Sequence, residues 1–321
     1  MANMGIFSGR IRRLLLPLVI VLIFAVLSVY NYSRDQADVQ RLDGFSFIVM
    51  SDSQGSSSGV NEKVLGALMD NIKELSNQPR FILFAGDMVH GNSKDLPREL
   101  ERWKRIMQGY TYFPAIGNHE KNESLFSNTF GSLPNDQLPG YRRTVYYFDY
   151  GNSRFIVLNS IRRDAARNYV VDANQRVWLE KLLSSSNKTH NFVMLHVMPY
   201  PVGRHYGRAL DANPNERDAL WAIFDRHRVS AVFVGHEHNY NRRLVDSSFS
   251  SNYYKFYNEI YQITAGGAGG PLDSAVRDKR NVVVGPVSTH HYVLVEVRGG
   301  SASFSVFDLQ NRLIDSFKIE R

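Results

Sequence analysis

Short apolar runs alternate with stretches of helical periodicity from about residue 45 onward. Residues 45–51, 81–85 and 112–116 are apolar runs of the length that is typical of buried strands. Apolar residues recur at helical spacing between these runs, first at Val60, Val64, Leu65, Leu68, Ile72 and Leu75, and then at Leu100, Trp103 and Ile106. This alternation of strand and helix patterns predicts an α/β fold.

Three helix starts carry capping residues. Asp95 is followed by Pro97, Asp172 precedes an apolar-periodic stretch, and Asn213 is followed by Pro214. Asp and Asn side chains cap free backbone N–H groups, and proline fits the first turn of a helix. We therefore expect helices to begin directly after Asp95, Asp172 and Asn213, the last with Leu220, Trp221 and Phe224 on its buried face.

The middle and the end of the chain indicate more strands. Residues 145–150 and 154–159 flank Gly151-Asn152, which predicts an antiparallel hairpin. Residues 192–195 and 229–234 are further apolar runs, and the chain is rich in strand patterns after Tyr261. We expect these elements to form one domain, residues 44–321.

The N-terminal part of the chain has a different composition. Residues 14–30 form a run of 17 residues without a charge, preceded by Arg10, Arg12 and Arg13. Its length favours a transmembrane helix over the shorter apolar region of a signal peptide. The positive-inside rule then predicts a basic cytoplasmic N-terminus (1–13), a signal anchor (14–30), a linker (31–43) and an extracytoplasmic domain. Secretion after signal cleavage is the alternative.

Composition excludes several kinds of chemistry. The sequence has no cysteine, so thiol nucleophiles, disulfides and cysteine-bound zinc are ruled out. The net charge is +7, but the basic residues are scattered in pairs such as Arg242-Arg243. This scatter indicates a solvated surface with a few arginines near an anionic substrate, and we expect no stable nucleic-acid partner.

Polar clusters follow five of the predicted strands. They are Asp52-Ser53-Gln54, Gly86-Asp87, Gly117-Asn118-His119-Glu120, His196 and Gly235-His236-Glu237-His238. Ligands gather at the carboxyl ends of strands in α/β sheets, so these side chains should lie together. Carboxylate, imidazole and amide groups without thiolate favour Mn, Fe or Zn, and a carboxylate such as that of Asp87 can bridge two ions.

In this order, these clusters resemble the signature of calcineurin-like metallophosphoesterases. GNHE and GHEHNYNR are especially similar to the purple acid phosphatase-related branch. The resemblance implies a four-layer α-β-β-α sandwich and two divalent metal ions. It further implies one ion held by Asp52, Gln54, Asp87 and His238, and the other by Asp87, Asn118, His196 and His236.

The resemblance also implies a catalytic mechanism. A hydroxide held between the metals would attack phosphorus in line, with Asp87 as the bridging carboxylate. His119 would contact the phosphate or protonate the leaving oxygen, and Asn118 would also face the substrate. His205 follows a loop with Pro199 and Pro201 and is a further candidate for substrate binding.

The chain departs from the family pattern at two positions. Gln54 stands where the commonest motif has histidine, and amide oxygen is the weaker ligand. His90 stands where purple acid phosphatases have a tyrosine ligand, so no iron–tyrosine chromophore is expected. His90 either supplies the missing imidazole or is a hydrogen-bonded loop residue. Glu120 and Glu237 are expected to support the site without binding metal.

Together these features predict a membrane-anchored hydrolase of phosphate esters that depends on two metals. Two alternatives remain. One is a phosphodiesterase or pyrophosphatase acting on nucleotide or lipid-linked substrates of the envelope. The other is a catalytically silent binding domain that keeps the fold, for which Gln54 is the one argument.

Overall fold

A computed structural model describes residues 44–120, 122–135 and 137–321. The predicted N-terminal segment, anchor and linker (1–13, 14–30 and 31–43) lie outside the described residues. Within the described part of the chain, no helix combines the length and apolarity needed to cross a bilayer.

The order of elements confirms the alternation expected from the sequence. The strands are β1 (Phe45–Met50), β2 (Ile82–Phe84), β3 (Tyr112–Pro114), β4 (Tyr146–Tyr150), β5 (Ser153–Val157), β6 (His190–Met194), β7 (Ala231–Val234), β8 (Tyr240–Val245), β9 (Ile260–Ala265), β10 (Val282–Val287), β11 (His291–Arg298), β12 (Ser301–Asp308) and β13 (Leu313–Glu320). The helices are α1 (Glu62–Lys73), α2 (Leu96–Ile106), α3 (Glu123–Thr129), α4 (Ala173–Ser184) and α5 (Pro214–Arg226), with short 3₁₀ turns at Leu210–Ala212 and Ser247–Phe249.

The strands form two mixed sheets. The first has the order β13-β12-β11-β1-β2-β3, and the second has the order β10-β8-β9-β7-β6-β5-β4. Strands β1, β2 and β3 are parallel to one another, as are β5, β6, β7 and β9. Parallel strands place their carboxyl ends at the same edge, which is where the polar clusters lie.

Aromatic side chains fill the space between the two sheets. The Phe47 ring of β1 lies 5.0 Å from the Phe155 ring of β5 and 5.5 Å from the Phe192 ring of β6, measured between centroids. All three side chains are buried. Burying one phenylalanine contributes about 1.5–3 kcal/mol, so this cluster is a main source of adhesion between the sheets.

Helices cover the outer faces. Leu65 of α1 and Trp103 of α2 join the core of the first sheet, while Leu179 of α4 and Trp221 of α5 join a second core against the other sheet. The result is two facing sheets with helices outside, as the family resemblance implied.

The predicted helix caps are confirmed. Asp95 accepts a hydrogen bond from the Arg98 N–H at 3.1 Å, and Asp172 accepts one from the Gln175 N–H at 3.2 Å. Asn213 caps α5 by accepting from the Glu216 N–H at 3.5 Å. The hairpin is also confirmed, because β4 and β5 pair antiparallel across Gly151-Asn152.

One sequence-based expectation about the surface is wrong. Arg242 and Arg243 are 6% and 0% exposed, so this pair does not form a solvated surface. Arg242 of β8 makes two hydrogen bonds to Asp315 of β13 and thereby links the two sheets. The Arg243 guanidinium donates hydrogen bonds to the carboxylate and to the backbone carbonyl oxygen of Asp278. These carboxylates lie 73 and 35 residues further along the chain, so the partners are set by tertiary structure.

Candidate metal centre

Three residues at strand ends have a left-handed backbone conformation. Asp52, Asp87 and His236 follow β1, β2 and β7 and have φ of 63°, 53° and 70°. This conformation costs a residue with a Cβ about 1–3 kcal/mol and is concentrated at functional sites. Hydrogen bonds between the strand ends stabilise this conformation. The Asp52 N–H donates to Gly86 O at 3.0 Å, and the His236 N–H donates to the Asp52 carboxylate at 2.9 Å.

The first group of side chains surrounds Asp87. Asp87 Oδ2 lies 3.2 Å from His196 Nε2, which in turn lies 3.1 Å from Asn118 Oδ1. Asp87, His196 and His236 each offer a ligand atom within 4.8 Å of the others, and all three side chains are buried. One cation can therefore contact all three.

The second group of side chains also contacts the Asp87 carboxylate. Asp52 Oδ1 lies 3.4 Å from His238 Nε2, and Gln54 Nε2 lies 3.1 Å from His238 Nε2. Gln54 Nε2 is also 3.4 Å from Asp87 Oδ2. The structure thus brings together all seven residues that the sequence proposed as ligands, with Asp87 shared between the groups.

Hydrogen bonds fix the orientation of the histidine rings. His196 Nδ1 lies 2.7 Å from the Ala85 carbonyl oxygen, and His238 Nδ1 lies 2.8 Å from that of Pro271. A carbonyl oxygen only accepts, so each Nδ1 carries the proton and each Nε2 presents its lone pair to the centre. This arrangement is typical of metal-binding histidines.

His119 has the opposite arrangement. Its Nδ1 accepts a hydrogen bond from the Gly91 N–H at 2.8 Å, so the proton of the neutral ring lies on Nε2. His119 Nε2 is 3.8 Å from Asp87 Oδ2. A ring held in this way is set to donate a proton at the edge of the centre, whereas His196 and His238 are set to donate an electron pair.

The residues present fit divalent cations. Gln54 is 1% exposed, and its Oε1 has no hydrogen-bond partner within the described part of the chain. Amide oxygen and nitrogen are assigned from their surroundings, and exchanging the two would turn this oxygen towards Asp87 and His238. A buried amide oxygen without a partner, in a side chain that contacts a carboxylate and an imidazole, fits a hard or borderline cation.

The protonation of the rings without metal follows from their neighbours. Burial lowers the pKa of His196, but the charges of Asp87 and Asp52 outweigh it and raise this pKa to about 9. Burial would raise the pKa of Asp87, and the surrounding histidines hold it below its usual value. Burial and the charge of His196 hold the pKa of His236 well below its usual value, which keeps this ring neutral.

Glu120 and Glu237 support loops and do not face the candidate ligand atoms. The Glu120 carboxylate accepts hydrogen bonds from the N–H groups of Asp87 (3.0 Å), Met88 (2.9 Å) and Gly117 (2.7 Å). Glu237 accepts from the N–H groups of Val202 (3.2 Å), Gly203 (2.7 Å) and His205 (3.3 Å). Their positions agree with the supporting role expected from the sequence.

The remaining histidine candidates lie around the rim. The His205 ring is 3.9 Å from the His236 ring, so the side chain is close enough to meet a substrate at the centre. Burial and the charge of Arg204 lower the pKa of His205 to about 4. His90 packs on His119 with ring centroids 4.7 Å apart and accepts from the Asn92 N–H. This hydrogen bond lies within the loop of His90, and a role of His90 as a metal ligand stays a prediction.

Sequence reasoning missed two features of the rim. Tyr169 lies 5.8 Å from the His236 ring, and Arg163 stacks 3.3 Å above Tyr169. No motif in the sequence marks this pair.

A groove of about 540 Å³ also opens beside Gln54, lined on one side by Ser56–Ser58 and on the other by Gly269–Leu272 and His290. The second side contacts the centre directly, because the Gly270 N–H donates to Asp52 O at 2.8 Å.

Comparison with known proteins gives relatives of the expected kind. A barley (Hordeum vulgare) protein named nucleotide pyrophosphatase/phosphodiesterase is 25% identical over 277 residues, covering 74% of this chain and 71% of its own. An Arabidopsis thaliana protein named probable inactive purple acid phosphatase 27 is 23% identical over 235 residues, which are 63% of this chain and 36% of its own length. This chain therefore spans about a third of the Arabidopsis relative.

Solved structures support the fold. The structure of purple acid phosphatase PPD1 from yellow lupin (Lupinus luteus) superposes with a TM-score of 0.67 at 14% identity, covering 86% of this chain and 54% of that one. The family model described as calcineurin-like phosphoesterase matches residues 45–240, which include all seven candidate ligands. The chain belongs to the calcineurin-like phosphoesterase family.

Proposed function

We propose that this protein is a two-metal-dependent hydrolase of phosphate esters. The observation that carries the proposal is the position of Asp87, whose Oδ2 lies 3.2 Å from His196 Nε2 and 3.4 Å from Gln54 Nε2, one residue from each set of candidate ligands. A shared carboxylate between two sets of ligands is what a pair of cations needs.

Two sets of residues would hold the metals. Asp52, Gln54, Asp87 and His238 form one set, and Asp87, Asn118, His196 and His236 form the other. Two divalent cations, when bound there, supply Lewis-acid activation of water and neutralise the charge on phosphorus oxygens. Mn, Fe and Zn all suit these donors.

Other side chains would handle the substrate and its proton. His119 would donate the proton on Nε2 to the leaving oxygen, since its Nδ1 is occupied by the Gly91 N–H. Asn118 would contact a phosphate oxygen as well as metal. His205, neutral near pH 7 because its pKa lies at about 4, would contact the substrate without adding charge.

Hydrolysis assays on the full chain in detergent test the proposal. The protein is stripped of metal, reloaded with Mn²⁺ and assayed with p-nitrophenyl phosphate and bis-p-nitrophenyl phosphate. We expect metal-dependent turnover that falls at least about 100-fold in Asp87→Asn and in His119→Ala. Asp70→Asn on the exposed surface of α1 and His227→Ala beside Glu180 change the same residue types outside the candidate ligand set and serve as matched controls.

The same assay separates the alternatives. Preference for the diester would favour a phosphodiesterase or pyrophosphatase, the activity named for the barley relative. A folded protein that binds Mn²⁺, Fe²⁺ or Zn²⁺ but hydrolyses neither ester would favour a silent binding domain, as the name of the Arabidopsis relative also suggests. Gln54, as the weaker ligand, is the feature of the chain that supports this alternative.

The proposed location rests on the sequence. Residues 14–30 would anchor the protein in a membrane with the metal centre outside the cytoplasm, and the alternative is secretion after cleavage. Mass spectrometry of the intact protein from the membrane fraction tests this. A mass that includes residues 1–30 supports the anchor, and a mature N-terminus near residue 29 would replace it with secretion.

A further inference from the structure

The domain has two opposite ends along its parallel strands. The metal centre lies at the carboxyl ends of β1, β2 and β7. The opposite end, here called the strand-start face, holds Phe45, the Gly151-Asn152 turn and the Gly299-Gly300 turn. Asn152 Nδ2 donates to Gly299 O at 2.6 Å, and His190 Nε2 lies 3.2 Å from the same oxygen. These contacts show that both sheets reach this face.

A polar cavity of about 680 Å³ opens on the strand-start face. Three cationic side chains line it: Lys188, Arg228 and Arg321. Hydroxyl groups complete the lining from Ser184, Ser186 and Thr189. Ammonium, guanidinium and hydroxyl groups around one space are the donors that bind a phosphate group.

The positive charge of this cavity is largely uncompensated. Glu320, the acidic side chain of its lining, pairs with Lys318 at 2.6 Å. His227, which also lines it, pairs with Glu180 at 2.8 Å. Within residues 44–120, 122–135 and 137–321, the Arg228 guanidinium makes no ion pair or hydrogen bond.

The two other cations have weak or neutral partners. Lys188 Nζ donates to the Gly151 carbonyl at 3.0 Å and lies 3.7 Å from Asp149, a carboxylate already held by Arg154 at 2.8 Å. Arg321 donates to the Val229 carbonyl at 2.8 Å. Burial and the charge of Arg228 both lower the pKa of Arg321, which shows that two like charges lie close together. An anion between them would relieve this repulsion.

We propose that the cavity on the strand-start face binds the phosphate of anionic phospholipid headgroups. The inference rests on the proposed N-terminal anchor. Residue 30 and Gly44 are separated by the 13 residues 31–43, which span at most about 45 Å when fully extended. The chain enters the domain at Phe45, which stands on the strand-start face together with the cavity.

The composition of the cavity selects this occupant over others. An acyl chain or an amphipathic helix needs an apolar groove, whereas this lining is mainly charged and hydroxylated. Lys and Arg near an anionic leaflet are attracted to it, and an anchor in the same membrane would raise the local concentration of headgroups. Headgroup binding would fix the orientation of the domain, with the metal centre pointing away from the bilayer.

Hydrogen exchange on the full chain in nanodiscs tests the proposal. Amide exchange of residues 184–191 and 226–230 is measured in phosphatidylcholine discs and in discs with an equal mixture of phosphatidylcholine and phosphatidylglycerol. We expect exchange to slow by about tenfold in the anionic discs, since two basic side chains each gain headgroup contacts. Lys188→Glu/Arg228→Glu should abolish the difference, and Lys188→Gln/Arg228→Gln should do so without a charge reversal that disturbs folding.

Controls separate the possible outcomes. Lys63→Glu/Lys94→Glu reverses the same charge at the other end of the strands and should keep the protection. Equal amide exchange of these segments in the two kinds of disc overturns headgroup binding, but it does not contradict the proposed anchor as long as the chain remains with the discs. Equal protection by inorganic phosphate in neutral discs overturns the lipid as ligand. A chain that does not remain with the discs overturns the anchor and the inference with it, whereas ester hydrolysis tests the proposed chemistry independently.

Discussion

Gly235→Ala tests whether close packing of glycine at the strand ends positions the metal centre. Gly235 directly precedes His236 and lies under the Asp52 side chain. A Cβ added at Gly235 would lie 2.1 Å from Ser51 Oγ, 2.5 Å from Asp52 Oδ2 and 3.0 Å from Ala85 O. Two of these atoms belong to the loop that carries a candidate ligand, so the methyl group cannot be accommodated without moving that loop.

The distances set the size of the effect. Ser51 Oγ must move by about 0.9 Å and Asp52 Oδ2 by about 0.5 Å merely to reach 3.0 Å, a separation that is still short for a carbon–oxygen contact. Overpacking of this kind costs about 1–3 kcal/mol of unfolding free energy. A misplacement approaching 1 Å at a reacting centre lowers turnover by about 100-fold.

The assays are urea unfolding, calorimetric titration with Mn²⁺ and ester hydrolysis on the same protein. Gly66→Ala is the matched control because Gly66 lies within α1 and an added Cβ meets no atom within 4 Å. Replacing this helical glycine should stabilise the protein by about 0.5–1 kcal/mol and leave metal binding unchanged. A Gly235→Ala protein with the stability, Mn²⁺ affinity and turnover of the wild type would refute the reasoning.

Three further predictions concern the ion pairs and carboxylates around this framework. Asp315→Ala leaves the buried Arg242 unpaired between the sheets, so urea unfolding should show a loss of about 3–5 kcal/mol, whereas an exposed pair would lose less than about 1 kcal/mol. Glu237→Gln removes acceptors from the loop that carries His205; we expect a loss of about 2 kcal/mol and a KM that rises more than kcat falls, and an unchanged KM would contradict this. Burial would raise the pKa of Glu180, but its contacts with His227 and Arg226 hold this pKa below the usual value. These contacts therefore stabilise the fold at pH values above the unfolded pKa of about 4.3, and this stability is lost as the pH falls through the lower folded pKa. The Glu180 side chain is about one-third exposed, so Glu180→Gln should lower the free energy of unfolding by less than about 1 kcal/mol near pH 6 and not at all near pH 3. Urea unfolding at the two pH values measures this difference.

The candidate ligands were predictable because each of them follows a strand that the sequence pattern also predicts. Each ligand type stands directly after an apolar run, and parallel strands bring their carboxyl ends together within each sheet. That the two sheets meet at this edge was implied by the family resemblance. The caps at Asp95 and Asp172 were predictable for the same reason, since a cap depends on a residue three positions away. Local rules therefore reached both the ligands and the element boundaries.

Contacts between distant segments could not be predicted in this way. His190 looks like a surface residue because it precedes a strand, but it is fully buried under Gly299, which is 109 residues away. Arg242 likewise looks solvated until β13 brings Asp315 beside it. The short helix α3 and strand β8 were not predicted either. Such features depend on which segments the two sheets bring together.

The direction of β1, combined with the proposed headgroup binding, leads to different expectations for soluble esters and for esters in lipid headgroups. Phe45 stands at the start of this strand and Asp52 just beyond its end, a distance of about 20 Å along the strand. With the basic cavity on anionic headgroups, as proposed, the metal centre at the other end of β1 would face away from the bilayer. An ester in a lipid headgroup would then be out of reach, whereas a soluble ester would have free access. Loss of headgroup binding in Lys188→Glu/Arg228→Glu should therefore leave hydrolysis of a soluble ester unchanged, and a gain of activity on a lipid-linked ester in that variant would show that the cavity sets the orientation.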